Sequence, residues 1–216
     1  MALHSQEQIE SLAAELATAF PSLPRDSIAR HLGDVVAWND RIGLVSKRST
    51  LAALGRLVRQ SARLFEFLEA HGVMRPEGHE TVVDVGSGAG FPGLVWKLMR
   101  PALDVTLVER RQKKATFLQR AAVVLGLDGV EVVEGDALEV AAYERLSQHF
   151  DVATSFALGS PDAVARLVEP FVKTGGHYCT LRPREDAASP DRIGRALERV
   201  GETVSDDGRF CLYRRR

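Results

Sequence analysis

The sequence predicts an α/β chain in which a doubly wound, mostly parallel sheet follows a helical N-terminal extension. Two observations carry this. From about residue 80 onward, short apolar runs of strand length alternate with segments of helical period, as in stacked βα units. Before that point every apolar pattern has the helical period, which divides the chain at Pro76 to His79 into residues 1–76 and 77–216.

The elements follow in order. Ser5 with Gln8 has the form of a capping box, and Ile9, Leu12, Ala13, Leu16 and Phe20 recur at helical spacing behind it. Ile28, His31, Leu32, Val35 and Val36 mark a second helix over Arg25 to Trp38, and a third runs from Thr50 to Ala70, ending before Gly72. Strands are expected near 81–85, 104–109, 130–134, 150–156, 176–182, 202–205 and 209–214. Pro92 fits the first turn of the helix after the first strand. Ser160-Pro161-Asp162 and Ser189-Pro190-Asp191 predict two further helix starts, and Gly126, Gly175 and Gly201 predict helix ends. In such a sheet the ligand crevice lies outside the carboxyl ends of the strands, at the switch point beside the first one.

Composition bounds the chain's character. At 216 residues, with 45% hydrophobic and 26% charged residues, it can bury a substantial core, which argues against disorder. The first twenty residues are interrupted by His4, Glu7, Glu10 and Glu15, so they read as neither a signal peptide nor a membrane span, and a cytoplasmic protein without membrane contact is expected. Cys179 and Cys211 lie in apolar strands without CxxC spacing, which predicts buried, reduced thiols and no metal site.

The chemistry concentrates in Val82-Val83-Asp84-Val85-Gly86-Ser87-Gly88-Ala89-Gly90-Phe91-Pro92-Gly93. Glycines admit positive φ and leave no Cβ against a ligand, and the helix that follows opens with unpaired N–H groups. Gly86, Gly88 and Gly90 fit G-x-G-x-G, while Gly88, Gly90 and Gly93 fit the dinucleotide pattern. Asp84 favours the first register: it would repel a pyrophosphate but attract the ammonium and sulfonium of S-adenosylmethionine. No Gly-Lys-Ser or Gly-Lys-Thr follows, which disfavours a nucleotide-triphosphate loop. Glu109 closes the second strand nineteen residues after Gly90, where a carboxylate accepts ribose hydroxyls, and Asp136 closes the third, placed to accept from an adenine amino group.

The net charge of −1 excludes indiscriminate polyanion binding, yet Arg41 to Arg63 holds six basic residues and no acid. Arg56, Arg59 and Arg63 share one helix face that could track phosphates, and Arg110, Arg111, Lys113, Lys114 and Arg120 flank the crevice after Glu109.

Trp38-Asn39, Gly90-Phe91-Pro92-Gly93, Arg100-Pro101 and the stretch from Glu109 to Leu118 resemble the bacterial 7-methylguanosine methyltransferases of small-subunit ribosomal RNA, the glucose-inhibited division protein B family. The likeness runs from about residue 34 to 182. It implies a class I S-adenosylmethionine-dependent methyltransferase domain of Rossmann-like fold, acting on ribosomal RNA or the small ribosomal subunit. It also implies a donor site of Asp84, Gly86, Ser87, Gly88, Gly90, Phe91, Glu109, Arg110, Asp136, Ala137 and Ser155, and an acceptor site of Asn39, Lys113, Lys114, Phe156 and Arg182. Phe156 would stack on an unpaired base or pack in the core. No catalytic acid or base is expected, because guanine N7 has a free lone pair and the sulfonium leaves as a neutral thioether.

The departures lie outside the donor site. Gly43 stands where the family has Asn, Gln60 and Arg63 where it has His and Asp, Phe156 where it has Arg, and Arg182 where it has Lys. In the Gly135-to-Glu139 segment, Asp136 and Leu138 replace the more frequent Arg and Glu. Two alternatives to a ribosomal RNA guanine N7 enzyme therefore stay open: a methyltransferase with a small-molecule or protein acceptor, and a donor-binding module that no longer transfers.

Overall fold

In a computed structural model, which describes residues 5–46, 51–156, 160–185 and 188–216, three helices precede an eight-stranded sheet. They are α1 (Gln6–Ala19), α2 (Arg25–Ile42) and α3 (Leu51–Ala70). Ser5 caps α1 reciprocally with Gln8, as the spacing requires. Then come β1 (Thr81–Val85), α4 (Gly93–Met99), β2 (Asp104–Glu109), α5 (Gln112–Val124), β3 (Val130–Glu134), α6 (Ala137–Val140), β4 (Phe150–Phe156), α7 (Pro161–Val168) and β5 (Val172–Arg182). The chain closes with β6 (Arg192–Ile193), β7 (Leu197–Ser205) and β8 (Gly208–Arg215).

The strand order is β3-β2-β1-β4-β5-β8-β7-β6, parallel from β3 through β5 and antiparallel beyond. The order reverses between β1 and β4, so the carboxyl ends of all five parallel strands open on one edge with a switch point at its centre. One hydrophobic cluster runs from the three N-terminal helices through α4 and α5 to one face of the sheet, and a second lies under α6 and α7. Trp96, fully buried on α4, joins the helices by donating its Nε1–H to the Ser61 carbonyl at 2.8 Å.

The C-terminal third departs from the sequence reading. Ser189-Pro190-Asp191 starts no helix; the residues after it form β6 and β7, and Gly201 lies inside β7 at a register shift. Ile193, Leu197 and Val200 have helical spacing, but pairing along the whole of β8 and ion pairs of Glu198 with Arg192 (3.1 Å) and Arg216 outweigh that local preference. Gly175 likewise lies within β5, which begins at Val172, and Pro92 sits just before α4. Helix α2 continues past Trp38 to Gly43, whose left-handed backbone closes it with an N–H bond to the Asn39 carbonyl at 2.8 Å.

Candidate functional site

Two cavities occupy the carboxyl edge, one on each side of the switch point. The first, about 370 Å³, lies over β1, β2 and β3 and is walled by Gly86, Gly88, Glu109, Arg110, Asp136 and Ala137, among others. The second, about 800 Å³, lies over β4 and β5, with Ser155, Phe156 and Arg182 on one side and Arg56, Leu57 and Gln60 of α3 on the other.

The glycine loop is tied to its neighbours before any ligand arrives. Gly86 donates its N–H to the Val108 carbonyl at 2.8 Å, and Gly88 donates to Glu109 Oε2 at 3.0 Å. Glu109 Oε1 accepts from the Arg111 N–H at 2.8 Å, so this 7%-exposed carboxylate pins the loops after β1 and β2 together while facing the cavity. Gly86, Gly88 and Gly90 all have positive φ. At Gly93 close approach matters instead: a Cβ there would stand 2.5 Å from Leu107 Cδ2 and 2.9 Å from Asp84 Oδ2.

Asp84 is set deeper than its place near the end of β1 leads one to expect. It is completely buried, Oδ2 accepts from the Gly93 N–H at 3.1 Å, and Oδ1 has no partner. Burial pushes its pKa up to about 8, the Gly93 N–H opposes the shift, and the nearby Glu109 charge adds to it. The carboxyl is therefore mostly protonated at pH 7 in the free protein. A ligand cation at the loop would meet an orphaned oxygen able to ionise.

The other expected donor-site residues divide. Ser87 donates its hydroxyl to the Asp84 carbonyl at 2.7 Å and shapes the turn. Phe91 points into the core, its ring 5.4 Å from that of His31. Asp136 lines the first cavity and caps α6 by accepting from the Leu138 N–H at 3.0 Å. Ser155 lies in the second cavity, its buried hydroxyl without a partner.

Among the expected acceptor-site residues, Phe156 and Arg182 line the second cavity, and Arg182 also donates to Ser189 Oγ at 3.0 Å. Lys114 lines the first cavity and reaches the Leu44 carbonyl at 3.3 Å; burial lowers its pKa, with the Glu109 charge opposing. Asn39 holds the turn that presents that carbonyl, its Oδ1 accepting from the Val45 N–H at 2.8 Å. Lys113 is exposed on α5 and lines neither cavity.

The basic stripe of α3 is largely spent on carboxylates. Arg59 pairs with Glu15 at 3.0 Å and Arg63 with Glu66 at 2.9 Å, leaving Arg56 on the cleft. Arg120 pairs with Asp34 at 2.8 Å. Lys47 and Arg48 lie outside the described residues. Sequence reasoning missed Gln60 and the Asp206-Asp207-Gly208 turn as parts of the second cavity, although the turn-forming residues between two apolar runs mark the hairpin itself. The Leu44 carbonyl, a backbone group, leaves no signal in the sequence.

His31, buried under the loop with no partner at either ring nitrogen, has its pKa lowered to about 4 by burial. The folded state thus keeps it neutral while the unfolded chain protonates it near 6.5, so its contribution is complete above that pH and is lost as pH falls toward 4. His31→Leu is expected to shrink the stability lost between pH 7 and pH 5 by about 2 kcal/mol. Urea titrations at the two pH values measure it, and an identical loss in both proteins would refute it.

With this geometry in view, the comparisons are decisive. A family model described as rRNA small subunit methyltransferase G matches residues 25–193. The chain belongs to this family. It is 30% identical over 175 residues to the ribosomal RNA small subunit methyltransferase G of Caldanaerobacter subterraneus subsp. tengcongensis, covering 80% of this chain and 69% of that protein. The fold is also that of a putative methyltransferase from Escherichia coli, with a TM-score of 0.56 at 18% identity over 73% of this chain and 85% of that one. MtNAS, solved in complex with S-adenosylmethionine, superposes with a TM-score of 0.60 at 19% identity, covering 97% of this chain and 88% of its own. Both likenesses speak to the class I methyltransferase fold. Among the described residues no helix is long and apolar enough to cross a membrane.

Proposed function

We propose that the protein methylates a guanine of small-subunit ribosomal RNA at N7, with S-adenosylmethionine as donor, and that it does so in the cytoplasm. The observation that carries this reading is the pair of cavities flanking one switch point, of which the first fits the donor: bare glycine main chain, the carboxylates of Glu109 and Asp136, and an orphaned Asp84 oxygen behind the loop. Gly86, Ser87, Gly88 and Gly90 would hold the methionine end with Asp84, Glu109 the ribose and Asp136 the adenine edge. Arg110 and Ala137 would complete the wall. When bound, the donor supplies an electrophilic methyl group on a cationic sulfur.

The protein's task is then alignment. A lone-pair nucleophile needs no base, so holding acceptor and donor in line can supply most of the acceleration. Phe156 and Arg182 form the acceptor side, with residues 1–76 contributing α3 as the facing wall of the catalytic part, residues 77–216. Lys114 would steady the rim between the two. A second reading, a small-molecule or protein acceptor, has one observation in its favour: Glu185, Asp206 and Asp207 offset Arg56, Arg182 and Arg184 around the cleft.

Incubation with methyl-labelled donor and either deproteinised small-subunit RNA or assembled small subunits tests the proposal. Label is expected in a single guanine that becomes sensitive to N7-specific cleavage. Tight donor binding with no transfer to either preparation would favour a module that has lost catalysis.

A further inference from the structure

The cleft over β4 and β5 has an outer wall that the donor machinery does not explain. Its floor includes Ser155 and Tyr213, both buried, with Ser155 Oγ and Tyr213 Oη lacking hydrogen-bond partners. Its wall is the turn between β7 and β8. Asp206 there is almost fully exposed and pairs with Arg184 at 2.6 Å. Asp207 differs: its side chain is 24% exposed, and Arg63, already bound to Glu66, stays 4.0 Å away. Gln60 Nε2 donates to the Asp207 carbonyl at 2.6 Å, and the Asp207 N–H donates to Ser205 Oγ at 3.2 Å. Gly208 packs so closely on β5 that a Cβ would stand 2.5 Å from Leu181 Cδ1. The turn is thus fastened on three sides, with a carboxylate on the cleft.

The equal count of guanidinium and carboxylate groups around the cleft argues against a phosphate channel and for recognition of a polar base edge. We propose that Asp207 determines specificity, accepting hydrogen bonds from N1–H and the 2-amino group of the target guanine. This rests on the guanine-methylating reading above. Guanine presents two adjacent donors on its pairing edge, which suits a carboxylate, an acceptor-only group; adenine places an acceptor beside a donor there and would be repelled. N7 lies on a different edge and remains open to methylation. Gln60 and Arg63 act as positioning residues. Both stand where the resembled family carries other side chains, so this wall is particular to the chain.

The test uses a short RNA carrying the mapped target guanine and the same RNA with inosine, which lacks the 2-amino group, at that position. The unaltered protein is expected to prefer guanine by about tenfold or more in kcat/KM. Asp207→Asn should bring the preference below about threefold through KM, with donor affinity by calorimetry unchanged, and Gln60→Ala should move it the same way by less. Full discrimination in Asp207→Asn, with donor affinity intact, overturns the assignment while leaving the methyltransferase reading in place. Absence of transfer to either RNA by the unaltered protein would sink both.

Discussion

Glu109→Ala is expected to weaken donor binding by about 100-fold or more, because one carboxylate both holds the loop and faces the ligand. Its two oxygens accept from the Gly88 and Arg111 N–H groups at 3.0 and 2.8 Å. Each charge-assisted bond is worth about 1.5–3 kcal/mol, and removing the acceptor leaves two donors stranded beside the cavity. The ribose would lose its partner as well. Glu109→Gln separates these effects. Its amide oxygen can serve only one of the two N–H groups, so the loop is half-held and the loss should fall between those of the alanine variant and the unaltered protein. Titration calorimetry with S-adenosylmethionine reads the series directly. Affinity unchanged in the alanine variant would remove Glu109 from the donor site.

The second large effect is a pH dependence centred on Asp84. With a pKa of about 8 in the free protein, against an ordinary value of 3.8, the carboxyl must lose its proton to receive a ligand cation. Donor affinity is therefore expected to rise about tenfold per pH unit below pH 8 and to level off above it, with a proton released on binding. Calorimetry in buffers of different ionisation enthalpy counts that proton. Asp84→Asn should bind weakly and without the pH slope; a slope that survives the substitution would show that another group titrates. Stability runs the opposite way. The folded state holds the proton that the unfolded chain releases above pH 4, so this residue lowers stability progressively as pH rises from about 4 to about 8. Asp84→Asn should thus stabilise the ligand-free protein, by a few kcal/mol more at pH 8 than at pH 5. A residue whose removal strengthens the fold and weakens binding is one retained for its ligand.

Much of this architecture was legible in the residues because local and global requirements agree there. The first four strands lie within the expected spans, since parallel strands buried on both faces read as continuous apolar runs ended by Gly or acidic residues. The loop from Asp84 to Gly93 was legible for the same reason: its glycines answer backbone demands that no other residue meets. The hairpin edge was not. Residues 189–201 carry helix-start and helix-stop signals at helical spacing, and only pairing with β8, a partner later in the chain, turns them into strand. Asp84 was read as standing in the crevice because sequence gives a position along a strand but not the depth of a side chain behind a loop. Gln60 stayed hidden because its partner, the Asp207 carbonyl, lies 147 positions away.

The partition of the sheet edge at the switch point has an evolutionary consequence. The glycine loop, Glu109 and Asp136 serve one half alone, while α3 and a two-residue bend between the last strands shape the other. Mutations in that bend can drift without disturbing cofactor capture, so a lineage built this way can inherit its reaction unchanged and renegotiate its target through a few solvent-side positions.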